Sequence, residues 1–404
     1  MKIIILSQAY YPDTVSVSQH LTDLGESLVK NGHEVRVITS VFGYDSHERF
    51  EKKETHNGVI IERFHHTNFG KRSFLFRAMN FLTFNLLLFF RTVCLRSKYD
   101  LVIGLTFPPF SALVGVLIAK IKKVPYYYWV MDLQPELAIA SGLIKKDSLS
   151  DKFFSIIGNF IIRNSDHIIS LDRFMTSHLL SRGANPGKIS EIPVWPVSED
   201  IYQGDRLTNP FRIQNNFGDR LVVMFSGNHA YVHPLDTLLN ACDILKSDPR
   251  FLFAFVGGGV RKKDVSDFKK LKSLENISQH PFQPRSNFHI SIGASDVQVV
   301  VMGQGQVGFT HPNKIYGAMI LGRPILYIGP LQSHVTDILV HIEGNIVVEH
   351  GDVDGLVDKL TEFVNLSSTV RHQIGEKNKS FAFKNFSAQS LRQSVVRCIE
   401  KSDH

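Results

Sequence analysis

Short runs of Val, Ile and Leu alternate along this chain with longer stretches whose apolar positions recur at helical spacing. Residues 2–8, 34–40, 59–64, 100–106, 125–131 and 166–171 each read as a strand. Strands that alternate with helix-length segments predict parallel βαβ units, because a parallel pair needs a crossover long enough to hold a helix. In Lys30-Asn31-Gly32-His33, a glycine closes one helix where a left-handed residue is wanted, and the next strand starts at Glu34. The pattern breaks between residues 193 and 210, where Pro193, Pro196 and Pro210 stand among polar residues. A fresh series then follows, with strands expected near 221–226, 251–256, 277–280, 297–302, 324–328 and 345–348. The fold class predicted is α/β, with two Rossmann-like doubly wound parallel-sheet domains and a cleft between them. Residues 355–402 read as amphipathic helix, expected to cross back over the interdomain junction. The expected domains are 1–195, 196–385 and a terminal helix 386–404 that packs toward the first.

Composition changes this picture little. The 404 residues are 43% hydrophobic and 21% charged, enough for two packed domains. Cys94, Cys242 and Cys398 lie far apart with no C-x-x-C pair, so neither a zinc site nor a disulfide framework is expected. The opening Met1-Lys2-Ile3-Ile4-Ile5-Leu6 is too short an apolar run for a signal peptide, and a cytoplasmic location is expected. The net charge of +7 favours an anionic partner, while no zinc finger, helix-turn-helix or RNA-binding signature points to nucleic acid. Residues 72–96 carry Phe74, Phe76, Phe81, Phe84, Phe89 and Phe90, flanked by Lys71, Arg72, Arg77, Arg91 and Arg96. The uncharged run from Ala78 to Phe90 is too short and too polar to span a bilayer. It reads either as a covering helix of the first sheet or as a helix that also lies on an anionic membrane surface, peripheral to the inner leaflet.

Ligands of a doubly wound domain bind outside the carboxyl ends of its strands, so the loops there carry the candidate chemistry. Gln8 to Asp13 with Ser16-Val17-Ser18 follows the first strand, and the Pro108-Pro109 loop after the fourth reads as structural. Tyr128 to Glu136 gathers Asp132 and Glu136 beside two aromatics, acids that serve either chemistry or the start of a helix. In the second series, Phe225-Ser226-Gly227-Asn228-His229 offers small residues through which backbone amides can approach a diphosphate. Arg261 follows the Gly257-Gly258-Gly259 turn and is either a phosphate ligand or part of a solvated turn with Lys262 and Lys263. The segment Gly303 to Pro324 contains a formal G-x-G-x-x-G, but it follows a late strand and lacks the acid about 20 residues on that a nicotinamide site requires. Its Pro312 and Lys314 are expected in the first turn of a helix that ends at Gly322.

These loops resemble those of the GT4 glycosyltransferases of GT-B fold: Tyr10-Tyr11-Pro12 near the start, Asp132-x-x-Pro135-Glu136, the glycine turn at 257–259, and Pro312-x-Lys314-x-Tyr316 followed by Gly322-x-Pro324. The last marks the variant branch without the Glu-x7-Glu motif, whose acids fall near Phe309 and on Gly317. The family's glycine pair in the first loop is replaced by Val15-Ser16-Val17, and its arginine and lysine after the first strand of the second domain by Asn228, His229 and His233. The resemblance implies a retaining, metal-independent transfer of a sugar from a nucleotide-sugar donor, with no further cofactor. The acceptor implied is a glycan or a polyprenyl-diphosphate-linked glycan, in polysaccharide, lipopolysaccharide or other glycoconjugate biosynthesis. It implies catalytic roles for Asp132 and Lys314, and donor binding by Gly227, Asn228, His229, Gly258, Arg261, His311, Asn313 and Lys314. Two other readings remain open: a non-catalytic GT-B scaffold subunit of a glycan assembly complex, and a sugar-nucleotide epimerase.

Overall fold

The computed structural model describes residues 1–44, 48–70, 74–202 and 204–401. Lys71 and Arg72, two of the cations named above, lie outside the described residues, as do residues 402–404 at the end of the expected terminal helix. The chain divides into two compact units. The first takes in Met1–Val194, Gly308–His311 and the chain from Gln389, and the second takes in Trp195–Val307 and Pro312–Ala388.

The first unit runs β1 (Lys2–Leu6), α1 (Ser16–Lys30), β2 (Glu34–Ser40), β3 (Lys53–His56), β4 (Val59–Phe64), α2 (Phe74–Val93), β5 (Leu101–Leu105), α3 (Ser111–Lys122), β6 (Tyr126–Trp129), α4 (Glu136–Ala140), α5 (Leu149–Arg163), β7 (His167–Ser170), α6 (Arg173–Ser181) and β8 (Ile189–Glu191). Its sheet has the order β3-β4-β2-β1-β5-β6-β7-β8, parallel except where β3 runs antiparallel to β4. The chain order reverses between β1 and β5, so the loops after those strands flank the switch point at which ligands of such sheets bind. The inner strands are apolar on both faces because helices cover both sides, and every residue of β5 is buried.

The second unit runs α7 (Pro210–Gln214), β9 (Leu221–Asn228), α8 (Asp236–Ile244), β10 (Phe251–Gly258), α9 (Lys262–Lys272), β11 (Ile277–His280), α10 (Phe288–Gly293), β12 (Val297–Val301), α11 (Lys314–Ile320), β13 (Ile325–Ile328), α12 (His334–Leu339), β14 (Ile346–Val348), α13 (Val353–Asn365) and α14 (Ser368–Phe386). Its six strands are in the order β11-β10-β9-β12-β13-β14, with every described pairing parallel. The last helix, α15 (Ala388–Glu400), joins the first unit from Gln389 onward. There Glu400 Oε1 meets His33 Nε2 at 3.2 Å beyond α1, and Cys398 Sγ donates to Ser190 Oγ on β8 at 3.5 Å. What reads in sequence as one helical segment from 355 is three helices, because Ser367 caps α14 through its hydroxyl and Ser387 breaks the run again with extended backbone.

In the second unit one buried carboxylate organises the base of the sheet. Asp296 Oδ2 accepts from the Val222 N–H at 2.7 Å, from Arg206 Nη2 at 2.9 Å and from Arg212 Nη1 at 3.1 Å. Arg212 is 1% exposed, so removing the carboxylate charge leaves a guanidinium out of water with no counter-ion. Asp296→Asn is expected to cost about 3–5 kcal/mol of folding stability. A loss of less than about 1 kcal/mol in the unfolding free energy measured in urea would show that Arg212 finds other partners.

Candidate functional site

At the carboxyl end of β9 the second unit brings together residues distant in sequence. Gly227 has φ +126°, and a Cβ there would lie 2.8 Å from Lys314 Cε. Only glycine combines that backbone with room for the lysine chain to cross it. Gly257, with φ +133°, is held to the same residue type because a Cβ would collide with the Gly227 carbonyl oxygen. The Lys314 amine, the first side chain of α11, lies 3.7 Å from the centroid of the Phe225 ring. Its Nζ is out of solvent and has no hydrogen-bond partner among the described residues. Burial pushes its pKa down to about 7, far from the usual 10.5.

Two histidines face this amine in their neutral forms. His229 Nδ1 lies 3.2 Å from the Gly258 carbonyl oxygen, and His233 Nδ1 lies 3.0 Å from that of Val301. A carbonyl only accepts, so each Nδ1 carries the proton. His229 Nε2 is thereby a bare acceptor, buried without a partner. Burial lowers the pKa of both rings and the Lys314 charge lowers them further, His233 to about 3. Asn228 is exposed beside them. Arg261 is held by Asp264 at 2.7 Å and Asp236 at 3.5 Å, so two carboxylates already balance its charge. Gly258 supplies the carbonyl that orients His229.

The helix after the glycine segment is shorter than its sequence suggests. α11 begins at Lys314 and has 7 residues, so Pro312 precedes it rather than sitting in its first turn, and Asn313 is its cap position. Such a helix is too short for its dipole to dominate, and the charge of Lys314 carries the site instead. Gly317, where the family's second glutamate falls, has a ring against it: a Cβ there would lie 3.0 Å from Phe288 Cζ.

The other named acids belong to the first unit. Asp132 follows β6; its N–H and that of Met131 donate to Thr106 Oγ1 at 3.2 and 3.3 Å. Its carboxylate takes no hydrogen bond among the described residues, and burial pushes its pKa up to about 6. Glu136, in the first turn of α4, is different. Burial acts to raise its pKa, but His178 Nε2 at 2.7 Å and Arg182 Nη1 at 3.1 Å outweigh it and hold the carboxyl below its usual value. His311 belongs to the first unit, where its Nδ1 meets Asp172 Oδ2 at 2.7 Å. Asp172 caps α6 through its other oxygen, which accepts from the Met175 N–H at 2.8 Å. Asp172 went unread in the sequence, although an aspartate directly before a helix is a capping signal.

Asp132 and Glu136 therefore differ in kind, one a carboxylate held by no donor and the other fixed by an arginine and a histidine. Between pH 3.8 and 6 the folded state holds the Asp132 proton more tightly than the unfolded state, so ionising it destabilises the fold as pH rises. Asp132→Asn is expected to raise the thermal midpoint at pH 8, and by less at pH 5. A larger gain at pH 5 would reverse the sign and refute the burial account.

Residues 17–195 match the family model described as a glycosyl transferase 4-like domain. The probable glycosyltransferase WbjE of Pseudomonas aeruginosa is 23% identical over 216 residues, which is 53% of this chain and 54% of WbjE, so the match spans about half of that relative. The putative colanic acid biosynthesis glycosyl transferase WcaI of Escherichia coli K12 is 22% identical over 392 residues, 93% of this chain and 96% of WcaI. Among solved structures, HepE of Anabaena in complex with UDP and glucose superposes with a TM-score of 0.74 at 15% identity, covering 99% of this chain and all of HepE. At that identity the likeness speaks for the fold.

Proposed function

We propose that this chain is a GT4-type glycosyltransferase that moves a sugar from a nucleotide-sugar donor to a glycan or polyprenyl-diphosphate-linked acceptor during cell-surface polysaccharide or glycoconjugate synthesis. The observation that carries this reading is the Lys314 amine, out of water, over an aromatic ring and without a counter-ion, at the carboxyl end of a parallel strand. A desolvated cation attracts the diphosphate of a donor more strongly than a hydrated one. HepE's complex with UDP and glucose supports a uridine diphosphate sugar as the first donor to try.

In the transfer, the bond from the anomeric carbon to the diphosphate oxygen breaks while the acceptor oxygen bonds to that carbon from the same face. The hydroxyl proton passes to the departing diphosphate, and the configuration is retained. Lys314, once protonated, stabilises the charge that develops on the leaving oxygens, with no metal needed. His229 Nε2, a bare acceptor, suits a donor hydroxyl. Asp132 is the carboxylate free to orient an acceptor hydroxyl in the first unit.

A panel of nucleotides and sugar nucleotides followed by thermal shift tests this. A donor at 100 times its Kd adds about 2.7 kcal/mol of stability. The shift is expected with one sugar nucleotide and is lost in Lys314→Met, whose own midpoint rises at pH 7 because no ammonium has to be buried. Calorimetry at pH 7.5 in buffers of different ionisation enthalpy is expected to show uptake of most of a proton on binding, since the diphosphate returns a pKa of about 7 toward its ordinary value. No shift with any nucleotide would turn the reading to the scaffold subunit.

The first unit also supports the membrane-facing acceptor. Phe84 and Leu88 of α2 are buried, while Leu75, Met79, Leu82, Leu86 and Phe90 are exposed on the same helix. Leu117 and Ile121 are exposed on α3, which packs against α2. Leu149, Phe153 and Ile156 are exposed on α5, which packs against α3. Lys120, Lys123, Arg91 and Lys152 are exposed on or beside these helices, which matches an anionic lipid surface. No described helix is long and apolar enough to cross a membrane. The protein is expected to float with phosphatidylglycerol vesicles at low salt, and Leu82→Ser/Leu86→Ser with Arg91→Glu to abolish it. Equal flotation of this variant would remove the membrane reading.

A further inference from the structure

The first unit has a pocket that none of the chemistry above uses. It opens at the carboxyl ends of three neighbouring strands: Gln8 follows β1, Tyr44 lies in the loop after β2, and His66 and Asn68 follow β4, while α2 closes the side with Arg77 and Asn80. The cavity measures about 40 Å³, room for a small anion. Its wall is fixed in place by α2. Asn80 Oδ1 accepts from the Phe69 N–H at 3.1 Å, and the Thr67 and Thr83 hydroxyls meet at 2.6 Å, stapling the segment after β4 to the helix.

Three observations give the pocket a sign. Gln8 is 8% exposed, and its Oε1 has no hydrogen-bond partner. Arg77 Nε is also out of solvent without a partner, and no carboxylate pairs with Arg77 among the described residues. No lining residue is acidic. The nearby Asp13 directs its carboxylate to the backbone, taking the Tyr44 N–H at 2.5 Å and the Val15 N–H at 3.3 Å. His66 adds a donor or an acceptor according to tautomer: its Nε2 lies 2.9 Å from Ser40 Oγ, a hydroxyl that already accepts from the Phe42 N–H at 2.8 Å. With that lone pair engaged, the Ser40 proton is best used on Nε2, leaving the proton of the neutral ring on Nδ1. Burial lowers the pKa of this ring, so it is neutral at pH 7. Buried polar atoms are nearly always satisfied, and a guanidinium N–H with an amide that can turn its NH2 inward makes a seat for anionic oxygens.

We propose that this pocket binds a phosphate group carried by the acceptor substrate. The word acceptor rests on the transferase reading; the anion does not. A phosphate of this kind comes either from a lipid-borne head group or from a soluble phosphorylated glycan.

Inorganic phosphate titrated calorimetrically into the full chain separates the possibilities. Arg77→Gln is expected to weaken binding at least tenfold, and Gln8→Glu, which places a carboxylate in the same volume, to abolish it. Lys314→Met is expected to keep the Arg77-dependent binding within twofold of wild type, removing at most a second, independent phosphate site. Wild-type affinity in both Arg77→Gln and Gln8→Glu overturns the proposal. Loss in Lys314→Met alone also overturns it, by assigning the anion to the second unit, and leaves the donor reading intact. Conversely, phosphate binding that depends on Arg77 in a protein no sugar nucleotide stabilises upholds the pocket while the donor reading fails. Vesicles of phosphatidylcholine with and without phosphatidylglycerol identify the source. An Arg77→Gln defect in vesicle binding as well as in phosphate binding marks a lipid phosphate, and a defect confined to free phosphate marks a soluble acceptor.

Discussion

An ammonium group loses several kcal/mol of hydration when it leaves water, and proteins ordinarily recover this with a carboxylate. Lys314 has none. What surrounds its amine is an aromatic face, a glycine backbone and two rings kept neutral by their own burial. This arrangement explains residues that otherwise look incidental. Gly227 has to lack a Cβ because the lysine stem crosses it, Gly257 because it lies against Gly227, and Phe225 is aromatic where its ring face meets the cation at 3.7 Å. The site is thus incomplete in a particular direction: it lacks negative charge. In the donor reading proposed above, a diphosphate would supply that charge, and the nearness of the lysine pKa to neutrality would couple its arrival to proton uptake.

The contrast with other charges in the chain sharpens this. Arg212 is as deeply buried as any side chain here, yet it has Asp296 and three carbonyl oxygens around it. Glu136 has Arg182 and His178, and Asp172 has His311 and a helix amide. Those groups are matched within the fold and serve as its fixings. Lys314, Asp132 and Arg77 are not matched within it, and all three lie past the carboxyl ends of strands or on the helix beside them. Selection for stability alone would not keep three such groups at the one edge of each sheet where the loops are free to vary.

Much of this architecture was legible in the chain, and the parts that were not have common causes. The ten or so inner strands announce themselves as apolar runs because both of their faces are covered. β3 and β8 do not: Lys53-Glu54-Thr55-His56 is polar on both sides, and Ile189–Glu191 is three residues at a sheet edge. The glycine turns and Lys314 could be picked out as candidate phosphate chemistry, but the reading of Lys314 as a residue of a helix first turn could not anticipate that its amine is buried. That depends on Phe225 and Gly227 in a strand far away in sequence, and no local pattern encodes it. The pocket at Gln8 and Arg77 was equally hidden. Its residues come from three loops and a helix, and Arg77 in sequence is one cation among several flanking an aromatic stretch.

The absent glutamates then have a physical reading. At Gly317 the Phe288 ring occupies the approach that a longer side chain would need, and at Phe309 a buried ring stands instead of an acid. On its own helix Lys314 thus has no acid at Gly317 to pair with, and a carboxylate brought within reach of the amine would raise its lowered pKa. A buried ring at one position and a glycine at the other, in place of acids, are therefore consistent with the burial of the lysine. In the donor reading proposed above, recognition would fall on the phosphates, with His229 Nε2 as the buried acceptor offered to the sugar. On that proposal the site would discriminate weakly between hydroxyl epimers, because rejecting a wrong sugar strongly requires buried polar groups that the wrong sugar would leave unpaired.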